Sequence, residues 1–289
     1  MHFKDKVLRI IKKIKPGKYS TYQEVAKLAG NKKAYRVIGN ILAKNKNPKI
    51  PCHRIIKNDY TIGGYFGSYK NSWKKLALLL KEGVIAVMPT DTIYGICGSA
   101  LNKKTVERIY KLRKRSPQKP MITLISDFDD LKIFGVDVNS TQIDHTNDNR
   151  ITYSNEKPNN SVNIRAGDIK TFLKKIWPGP VSVILDISDK NKIKKFKYLH
   201  RGTKTLAFRM PKPKWLRNIL KISGPLVAPS ANWEGYEPAK TITEAKKYFG
   251  NNVVYYNTGK IVGKPSTLIK LKNGKIEILR QGVGMLKLS

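Results

Sequence analysis

Apolar segments of strand length alternate with amphipathic helical segments from residue 73 onwards, and this alternation constrains the fold more than any other feature. The apolar segments are Val84–Met88, Met121–Ile125, Val181–Leu185, Thr205–Arg209 and Leu226–Ala228. The helical segments between them include Lys104–Leu112, Ile169–Ile176, Trp215–Ile222 and Ile242–Phe249. Strands that alternate with helices are typical of an α/β sheet. Residues 73–289 are therefore predicted to form one α/β domain.

The first 72 residues show short amphipathic helices separated by turn residues. Helical periodicity is present over residues 3–14, around 22–28 and at about 33–43. Two helices joined by a tight glycine-containing turn predict a helix-turn-helix, which places one helix in a DNA groove. The expected fold class is α/β (α+β). A helical, winged-helix-like front domain (1–72) precedes a rear sheet domain (73–289).

Residues 137–163 are polar and aperiodic, which predicts a flexible surface insertion in the rear domain. No apolar run reaches the length of a membrane span, and residues 1–6 lack the apolar stretch of a signal peptide. Two cysteines, Cys52 and Cys97, exclude a disulfide framework. We expect a cytoplasmic protein with no membrane partner.

The chain carries 57 basic and 20 acidic residues, for a formal net charge of +37. Residues 1–75 hold 19 basic and only 3 acidic side chains, so the basic density is concentrated at the front. A surface of this charge attracts polyanions by releasing counterions. Because lysine, asparagine and isoleucine are also frequent in the products of A+T-rich genomes, the charge predicts nucleic-acid contact without specifying the ligand.

Cys52 lies between Pro51 and the pair His53-Arg54. An imidazole and a cation beside a thiol favour the thiolate, which is the nucleophile in cysteine chemistry. A lone cysteine is more often an inert core residue. Both interpretations remain open from the residue types alone.

The surrounding pattern resembles the DNA-binding, active-site domain of O6-alkylguanine-DNA alkyltransferases. The matching residues are Pro16-Gly17, Thr21-Tyr22, Ala26, Gly30, Ala34, Arg36-Val37-Ile38-Gly39, Asn45, Pro48, Ile50-Pro51-Cys52-His53-Arg54 and Gly63-Gly64-Tyr65. The resemblance implies that Cys52 accepts an alkyl group irreversibly, that His53 deprotonates it through a water, and that Asn45 braces the turn. The target base must leave the DNA stack before a thiol can reach it.

The same resemblance implies nucleic-acid contacts for the front domain. The helix at 33–43 would enter the minor groove, where Arg36 would fill the space left by the flipped guanine. Tyr22 would press on the adjacent phosphate, and Tyr65 would line the base pocket. Glu82 is the candidate for the family's glutamate that orients His53, although its segment also begins the rear domain. The alternative is a helical DNA-binding module that no longer transfers alkyl groups.

The rear domain lacks both glycine-rich phosphate-binding motifs, G-x-x-x-x-G-K-[ST] and G-x-G-x-x-G. Its candidate motifs are Pro89-Thr90-Asp91-Thr92, Leu112-Arg113-Lys114-Arg115-Ser116-Pro117-Gln118-Lys119-Pro120, Arg209-Met210-Pro211, Pro229-Ser230-Ala231-Asn232, Pro265-Ser266-Thr267 and Arg280-Gln281-Gly282. Cations, hydroxyls and an amide at strand ends suit a triphosphate and a small polar acceptor.

In order and spacing, these motifs resemble the threonylcarbamoyl-AMP synthases of the YrdC/TsaC family over residues 73–283. The resemblance implies a twisted α/β sheet with a concave basic face. It also implies that ATP, L-threonine and bicarbonate give threonylcarbamoyl-AMP and pyrophosphate, with Mg2+ accompanying ATP. Double-stranded RNA or tRNA and other tRNA threonylcarbamoyl-transfer proteins are the implied partners, because the product feeds N6-threonylcarbamoyladenosine synthesis. No further C-terminal domain is expected.

The resemblance also assigns the rear site residues. ATP would be held by Arg113, Arg115, Lys119, Thr205, Asn232 and Arg280. L-Threonine would be held by Thr92, Arg209, Ser230 and Ser266, with Arg209 on its carboxylate. Arg113 replaces a lysine that is common in the family, and Leu124 stands where some relatives have a histidine. No side chains are predicted to bind a metal.

Two hypotheses follow for the whole chain. The first is a fusion enzyme that makes threonylcarbamoyl-AMP and carries an alkyltransferase-like DNA-binding domain, with methylated-DNA-protein cysteine methyltransferase activity as its second function. The second is a non-catalytic nucleic-acid-binding protein whose rear domain senses a nucleotide. In either case the front domain could hold tRNA instead of DNA.

Overall fold

A computed structural model describes residues 2–138, 169–272 and 275–286. Most of the predicted insertion, residues 139–163, lies outside these ranges. The helices are α1 Phe3–Lys12, α2 Tyr22–Leu28, α3 Tyr35–Lys44, α4 Ser72–Lys81, α5 Lys103–Leu112, α6 Asp129–Ile133, α7 Ile169–Ile176, α8 Lys190–Lys195, α9 Lys197–His200, α10 Lys214–Ser223 and α11 Ile242–Phe249. The strands are β1 Ser20–Thr21, β2 Ile55–Ile56, β3 Ala86–Pro89, β4 Tyr94–Ser99, β5 Thr123–Leu124, β6 Val181–Asp186, β7 Thr205–Arg209, β8 Leu226–Val227, β9 Val254–Tyr255, β10 Thr267–Lys272 and β11 Lys275–Arg280.

Helices α1, α2 and α3 pack around a small apolar core that includes Val7, Ile38 and Leu42. The start of α2 is fixed by a capping box. The Oγ1 of Thr21 accepts a hydrogen bond from the backbone N–H of Glu24 at 3.1 Å, and the Glu24 carboxylate accepts one from the Thr21 N–H at 2.7 Å. Strands β1 and β2 pair in parallel beside this helical unit.

Within the described residues, nine strands form one mixed sheet in the order β11-β10-β6-β7-β5-β8-β4-β3-β9. The predicted α/β class of the rear domain is therefore confirmed. The strand predicted at 121–125 is shorter in the structure than expected. Only Thr123 and Leu124 pair with neighbouring strands, and residues 121 and 122 are part of the preceding loop. Strands β4 and β9 to β11 extend the sheet beyond the predicted set.

Helix α4 contributes to both halves of the chain. Its residues Leu76, Leu79 and Leu80 are fully buried in an apolar cluster with α10 and the rear sheet. Lys75 and Glu82 lie instead against front-domain side chains. The helix therefore packs into the rear core through its apolar face and contacts the front domain through polar side chains.

A backbone ladder adds a second connection between the halves. The N–H of Ile62 donates to the carbonyl of Tyr255 at 2.8 Å, and the N–H of Tyr255 donates to the carbonyl of Tyr60 at 2.9 Å. Residues 60–62 thus continue the rear sheet beyond β9. The domain boundary at residue 72 stays a prediction, because α4 begins there and serves both sides.

In the described part of the chain, no helix combines the length and apolar character needed to cross a membrane.

Candidate active sites

A cavity of about 560 Å³ opens over one face of the rear sheet, where alternate residues of β7 and β10 line it. Its walls come from the β3–β4 turn, the loop after α5, strand β7, the loop after β8 and the ends of β10 and β11. Nine of the residues predicted to hold ATP or threonine line it: Thr92, Arg113, Arg115, Lys119, Thr205, Arg209, Ser230, Ser266 and Arg280. Its volume is within the range of small-molecule sites, about 300–1,000 Å³.

Arg113 is buried in the cavity wall and is held by the loop after β8. Its Nη2 donates to Ser230 Oγ and to Asn232 Oδ1, both at 3.1 Å, and its Nε donates to the Asn232 carbonyl at 3.2 Å. Its Nη1 has no acceptor among the described residues. Burial lowers the pKa of Arg113 to about 10, so the guanidinium stays charged at neutral pH.

Asn232 is the one predicted ATP-binding residue that the structure places away from the cavity lining. It supports Arg113 from behind. Its Nδ2 donates to the carbonyls of Trp233 at 2.7 Å and Tyr236 at 2.6 Å, which orders the following loop. The geometry makes Asn232 a residue that positions Arg113.

Arg209 faces a carboxylate that the sequence did not identify as its partner. Its Nη2 lies 2.9 Å from Asp91 Oδ1, and both side chains are almost fully buried. Neither Asp91 oxygen nor the Arg209 Nε makes a well-oriented hydrogen bond with any described residue. Burial lowers the pKa of Arg209, and Asp91 opposes that shift. The pair joins β7 to the β3–β4 turn.

The remaining threonine-site candidates form a hydroxyl-rich wall. Ser266 Oγ lies 2.9 Å from Ser182 Oγ, and Arg280 Nη2 donates to the Ser266 carbonyl at 2.8 Å. Thr92 Oγ1 is 3.4 Å from Thr90 Oγ1, at the limit of a hydrogen bond. Ser182 was not identified from the sequence, because it lies inside an apolar strand without a motif.

Two cations stand at the rim of the cavity. Arg115 curls back so that its Nε donates to the Lys119 carbonyl at 3.2 Å, and the Lys119 Nζ is 2.8 Å from Glu234 Oε1. Across the described ranges, no group of three or more acidic, histidine or cysteine side chains could hold a metal ion.

The front-domain cysteine is buried beneath α3. The Nδ2 of Asn45 lies 3.3 Å from the Cys52 Sγ, in a donor geometry that suits a thiolate. Burial raises the pKa of the Cys52 thiol, and the Asn45 hydrogen bond works against that rise. The thiol therefore depends on its neighbours for activation.

Glu82 reaches across from the end of α4 to the predicted catalytic residues. Its Oε1 lies 2.8 Å from His53 Nε2, and Arg54 donates to both oxygens, from Nε at 2.9 Å and from Nη2 at 2.7 Å. Burial opposes ionisation of Glu82, but the hydrogen bonds from Arg54 and His53 hold its pKa below the ordinary value. Burial also lowers the pKa of His53, despite Glu82. The carboxylate thus fixes the orientation of the imidazole.

Lys75 is a buried cation that the sequence analysis missed. Its Nζ lies 5.8 Å from the centre of the Tyr22 ring, and its charge acts on the Cys52 thiol. Burial lowers the pKa of Lys75 to about 8. Its signal was a lysine seven positions before Glu82 in an apolar stretch, which places both side chains on one helix face.

Two of the three predicted nucleic-acid residues, Tyr22 and Tyr65, pack against the core that contains Cys52. Both side chains are partly buried, and burial raises the pKa of both phenols. Arg36 is exposed on α3, with its guanidinium carbon 5.8 Å from the Tyr35 ring centre.

The chain is a fusion of two units. One is an α/β sheet domain with a cationic, hydroxyl-lined cavity, and the other is a helical unit that carries a Cys-His-Glu arrangement. Comparison with known families gives the same division. Residues 78–282 match the Sua5_yciO_yrdC family, described as telomere recombination, and residues 2–84 match the DNA-binding domain of 6-O-methylguanine DNA methyltransferase. The chain belongs to the Sua5_yciO_yrdC family and carries an alkyltransferase-type DNA-binding domain in front of it.

Individual relatives match one half each. The threonylcarbamoyl-AMP synthase of Pyrococcus abyssi is 25% identical over 70% of this chain, which spans 52% of that relative's length. The methylated-DNA--protein-cysteine methyltransferase of Rattus norvegicus is 39% identical over 32% of this chain and 44% of its own length. The crystal structure of P. abyssi Sua5 complexed with L-threonine matches with a TM-score of 0.55 at 24% identity, over 73% of this chain and 54% of that one. That structural likeness shows the rear fold.

Proposed function

We propose that the rear cavity makes threonylcarbamoyl-AMP and pyrophosphate from ATP, L-threonine and bicarbonate. One observation carries the proposal. Nine cationic or hydroxylic side chains, predicted from motifs scattered over residues 92–280, line a single cavity. The name and ligand of the P. abyssi relatives support the choice of amino acid and product.

The proposed chemistry has two steps. The threonine amine attacks bicarbonate to give a carbamate with loss of water. A carbamate oxygen then bonds to the α-phosphorus of ATP, while the bond to the β-phosphate oxygen breaks and pyrophosphate leaves. Carbamates are labile in water, so a recessed cavity favours the reaction. Two anions must meet in the second step, so fixed positive charge lowers its barrier.

The wall residues supply that charge in distinct ways. Arg113 and Arg280 are pinned by hydrogen bonds, and such preorganised donors need little reorganisation when charge develops. The unpaired Nη1 of Arg113 is a buried donor that a phosphate oxygen would satisfy. Arg209 would bind the threonine carboxylate through its Nε while Asp91 fixes its orientation. The hydroxyl groups of Thr92, Ser230 and Ser266 would accept or donate hydrogen bonds to the bound amino acid.

Mg2+ is proposed to arrive with ATP. Among the described residues that line the cavity, none is acidic, so the donor set fits a metal held by phosphate oxygens and not a resident protein site. Bound in that way, the ion would neutralise part of the triphosphate charge.

The test is threonine- and bicarbonate-dependent pyrophosphate release from ATP. Arg280→Ala and Arg113→Ala should each lower the rate by about a hundredfold or more, since each removes a preorganised cation. Lys247→Ala, an exposed change on α11, should leave it unchanged. If the wild-type chain binds ATP but releases no pyrophosphate, the rear domain is a nucleotide sensor and the enzymatic proposal fails.

We also propose that the front domain transfers an alkyl group from O6-alkylguanine to Cys52. The supporting geometry is the Asn45–Cys52 contact together with the His53–Glu82–Arg54 network. In the step, the Cys52 sulfur forms a bond to the alkyl carbon, the bond from that carbon to O6 breaks, and guanine leaves with a proton. In this proposal α2 and α3 are the helix-turn-helix of a winged-helix-like fold, and exposed Arg36 enters the minor groove.

A duplex that carries O6-methylguanine tests the transfer. The intact protein should gain one methyl group in its mass, mapped to Cys52, and Cys52→Ser should gain none. Cys97→Ala is the matched cysteine control, because Cys97 is fully buried and burial raises the pKa of its thiol to about 12. A wild-type protein that binds the duplex without gaining mass would leave only the DNA-binding module.

The nucleic acid that the front domain prefers is tested separately. The domain match supports DNA, and the basic density of residues 1–75 is compatible with tRNA as well. Binding of the full chain to duplex DNA and to tRNA should be compared at one fixed salt concentration. Arg36→Ala should weaken the DNA complex selectively if α3 enters a groove.

A further inference from the structure

The carboxylate of Glu234 is one of the groups that link two loops at the rim of the rear cavity. The backbone N–H of Ser116 donates to Glu234 Oε2 at 2.6 Å, and the Lys119 Nζ donates to Glu234 Oε1 at 2.8 Å. The N–H of Glu234 in turn donates to the Arg113 carbonyl at 2.9 Å. Glu234 therefore bridges the loop after α5 and the loop after β8.

The donors that surround this carboxylate are those that bind a phosphate group. A backbone N–H and an ammonium converge on its two oxygens, and Arg115 adds positive charge from nearby. Hydrogen bonds from Lys119 and from the Ser116 N–H lower the pKa of Glu234, so it is an anion at neutral pH. Backbone amides and lysine are common ligands of phosphate oxygens. Lys119 and Arg115 also line the cavity itself.

We propose that Glu234 occupies a phosphate subsite at the cavity rim and competes for it with the terminal phosphates of ATP. The inference rests on the proposed function of the cavity as an ATP site. The Lys119 and Glu234 side chains are 62% and 26% exposed, and an exposed ion pair is held weakly. A polyanion can therefore displace the carboxylate without unfolding the rim.

The loop itself has other attachments that would persist after the exchange. The Lys114 Nζ lies 3.5 Å from the centre of the Trp233 ring, and the hydrogen bond from the Glu234 N–H to Arg113 uses only backbone atoms. Release of the carboxylate thus requires rotation of one side chain while the loop backbone stays in place. Glu234 would then set nucleotide affinity without contributing to the reacting atoms.

Calorimetric binding of ATP, inorganic tripolyphosphate and AMP to the full chain tests this subsite. Glu234→Gln keeps an acceptor for the Ser116 N–H but removes the charge. It should tighten ATP and tripolyphosphate by about three- to tenfold and leave AMP within about twofold. Glu237→Gln, an equal charge change at an exposed position of the same loop, should leave all three affinities unchanged. Glu234→Ala provides a second variant with the same expectation.

Several outcomes would overturn the subsite. They are unchanged or weaker tripolyphosphate binding by both Glu234 variants, an equal gain for AMP, or no binding of either polyanion to the wild type. Pyrophosphate release, measured on the same samples, separates the two ideas. Absence of release in a wild type that binds ATP refutes the synthase while the tripolyphosphate comparison still decides the role of Glu234.

Discussion

Replacing Glu82 by glutamine removes the charge that joins the end of α4 to the front domain. Glu82 and Arg54 are 17% and 12% exposed, and three donor atoms from Arg54 and His53 converge on the carboxylate. Breaking a buried ion pair on one side costs about 3–5 kcal/mol, because the remaining charge stays buried. Glutamine keeps one acceptor, so we expect a loss of about 3 kcal/mol in the free energy of unfolding.

Tryptophan fluorescence makes the assay specific to the shared helix. All four tryptophans lie at residue 73 or beyond, so their signal during urea denaturation reports the rear half. If α4 couples the two cores, Glu82→Gln shifts this transition together with the circular dichroism transition. Glu237→Gln, which removes an exposed charge, should shift neither. A fluorescence transition that stays in place while only the dichroism changes would refute the coupling.

The pH dependence of the same variant supplies an independent check. The folded-state pKa of Glu82 lies below its ordinary value of 4.5, so its contribution to stability is complete above that pH. The contribution is lost as the pH falls through the folded pKa. The difference between wild type and Glu82→Gln should therefore be full at pH 7 and shrink below pH 4.5. A difference that grows in acid would contradict the assigned ion pair.

Three further changes test other parts of the structure. Gly17 has φ +77°, and a Cβ there would lie 2.9 Å from the Glu82 carbonyl oxygen, so Gly17→Ala should cost about 1–3 kcal/mol in urea denaturation; a neutral result would show that this contact relaxes freely. Burial lowers the pKa of Lys75 from 10.5 to about 8, so Lys75→Met should raise the free energy of unfolding by about 3 kcal/mol at pH 7. The gain should disappear as the pH rises from about 8 to 10.5. No gain at pH 7 would show that the ammonium is well solvated. Arg209→Lys keeps the charge but loses the guanidinium fork, so the KM for threonine in the pyrophosphate assay should rise about tenfold or more. The KM for ATP should stay within about twofold, and an equal rise in both would contradict the assignment of Arg209 to the amino acid.

Local signals predicted the front helices well. The apolar period fixes α1 to α3, and the Thr21 hydroxyl with Glu24 three residues later marks the start of α2. The β10–β11 hairpin also had a local signal that was missed, since alternating apolar residues flank an Asn-Gly pair at 273–274. These features could be read because each depends only on neighbours along the chain.

The partners within the sites could not be read in this way. Arg209 and Asp91 are 118 residues apart, and Lys119 and Glu234 are 115 residues apart, so the order of strands in the sheet decides whether they meet. The motif resemblance indicated which residues share the cavity, but it carried no information on which side chains neutralise one another. The joining of residues 60–62 to β9 was equally hidden, because backbone pairing between distant segments leaves no periodic trace.

The chain cannot be divided within helix α4 without removing contacts from one of its two halves. A front fragment that stops before Glu82 lacks the carboxylate that contacts His53. A rear fragment that starts after Lys75 lacks the first turn of α4, which packs on the rear core, and it separates the Lys75 ammonium from the rest of the helix. Replacing either domain with a homologous one would therefore require compensating changes in the other domain. A substitution on this helix can therefore disturb the cysteine site, the packing of the sheet, or both.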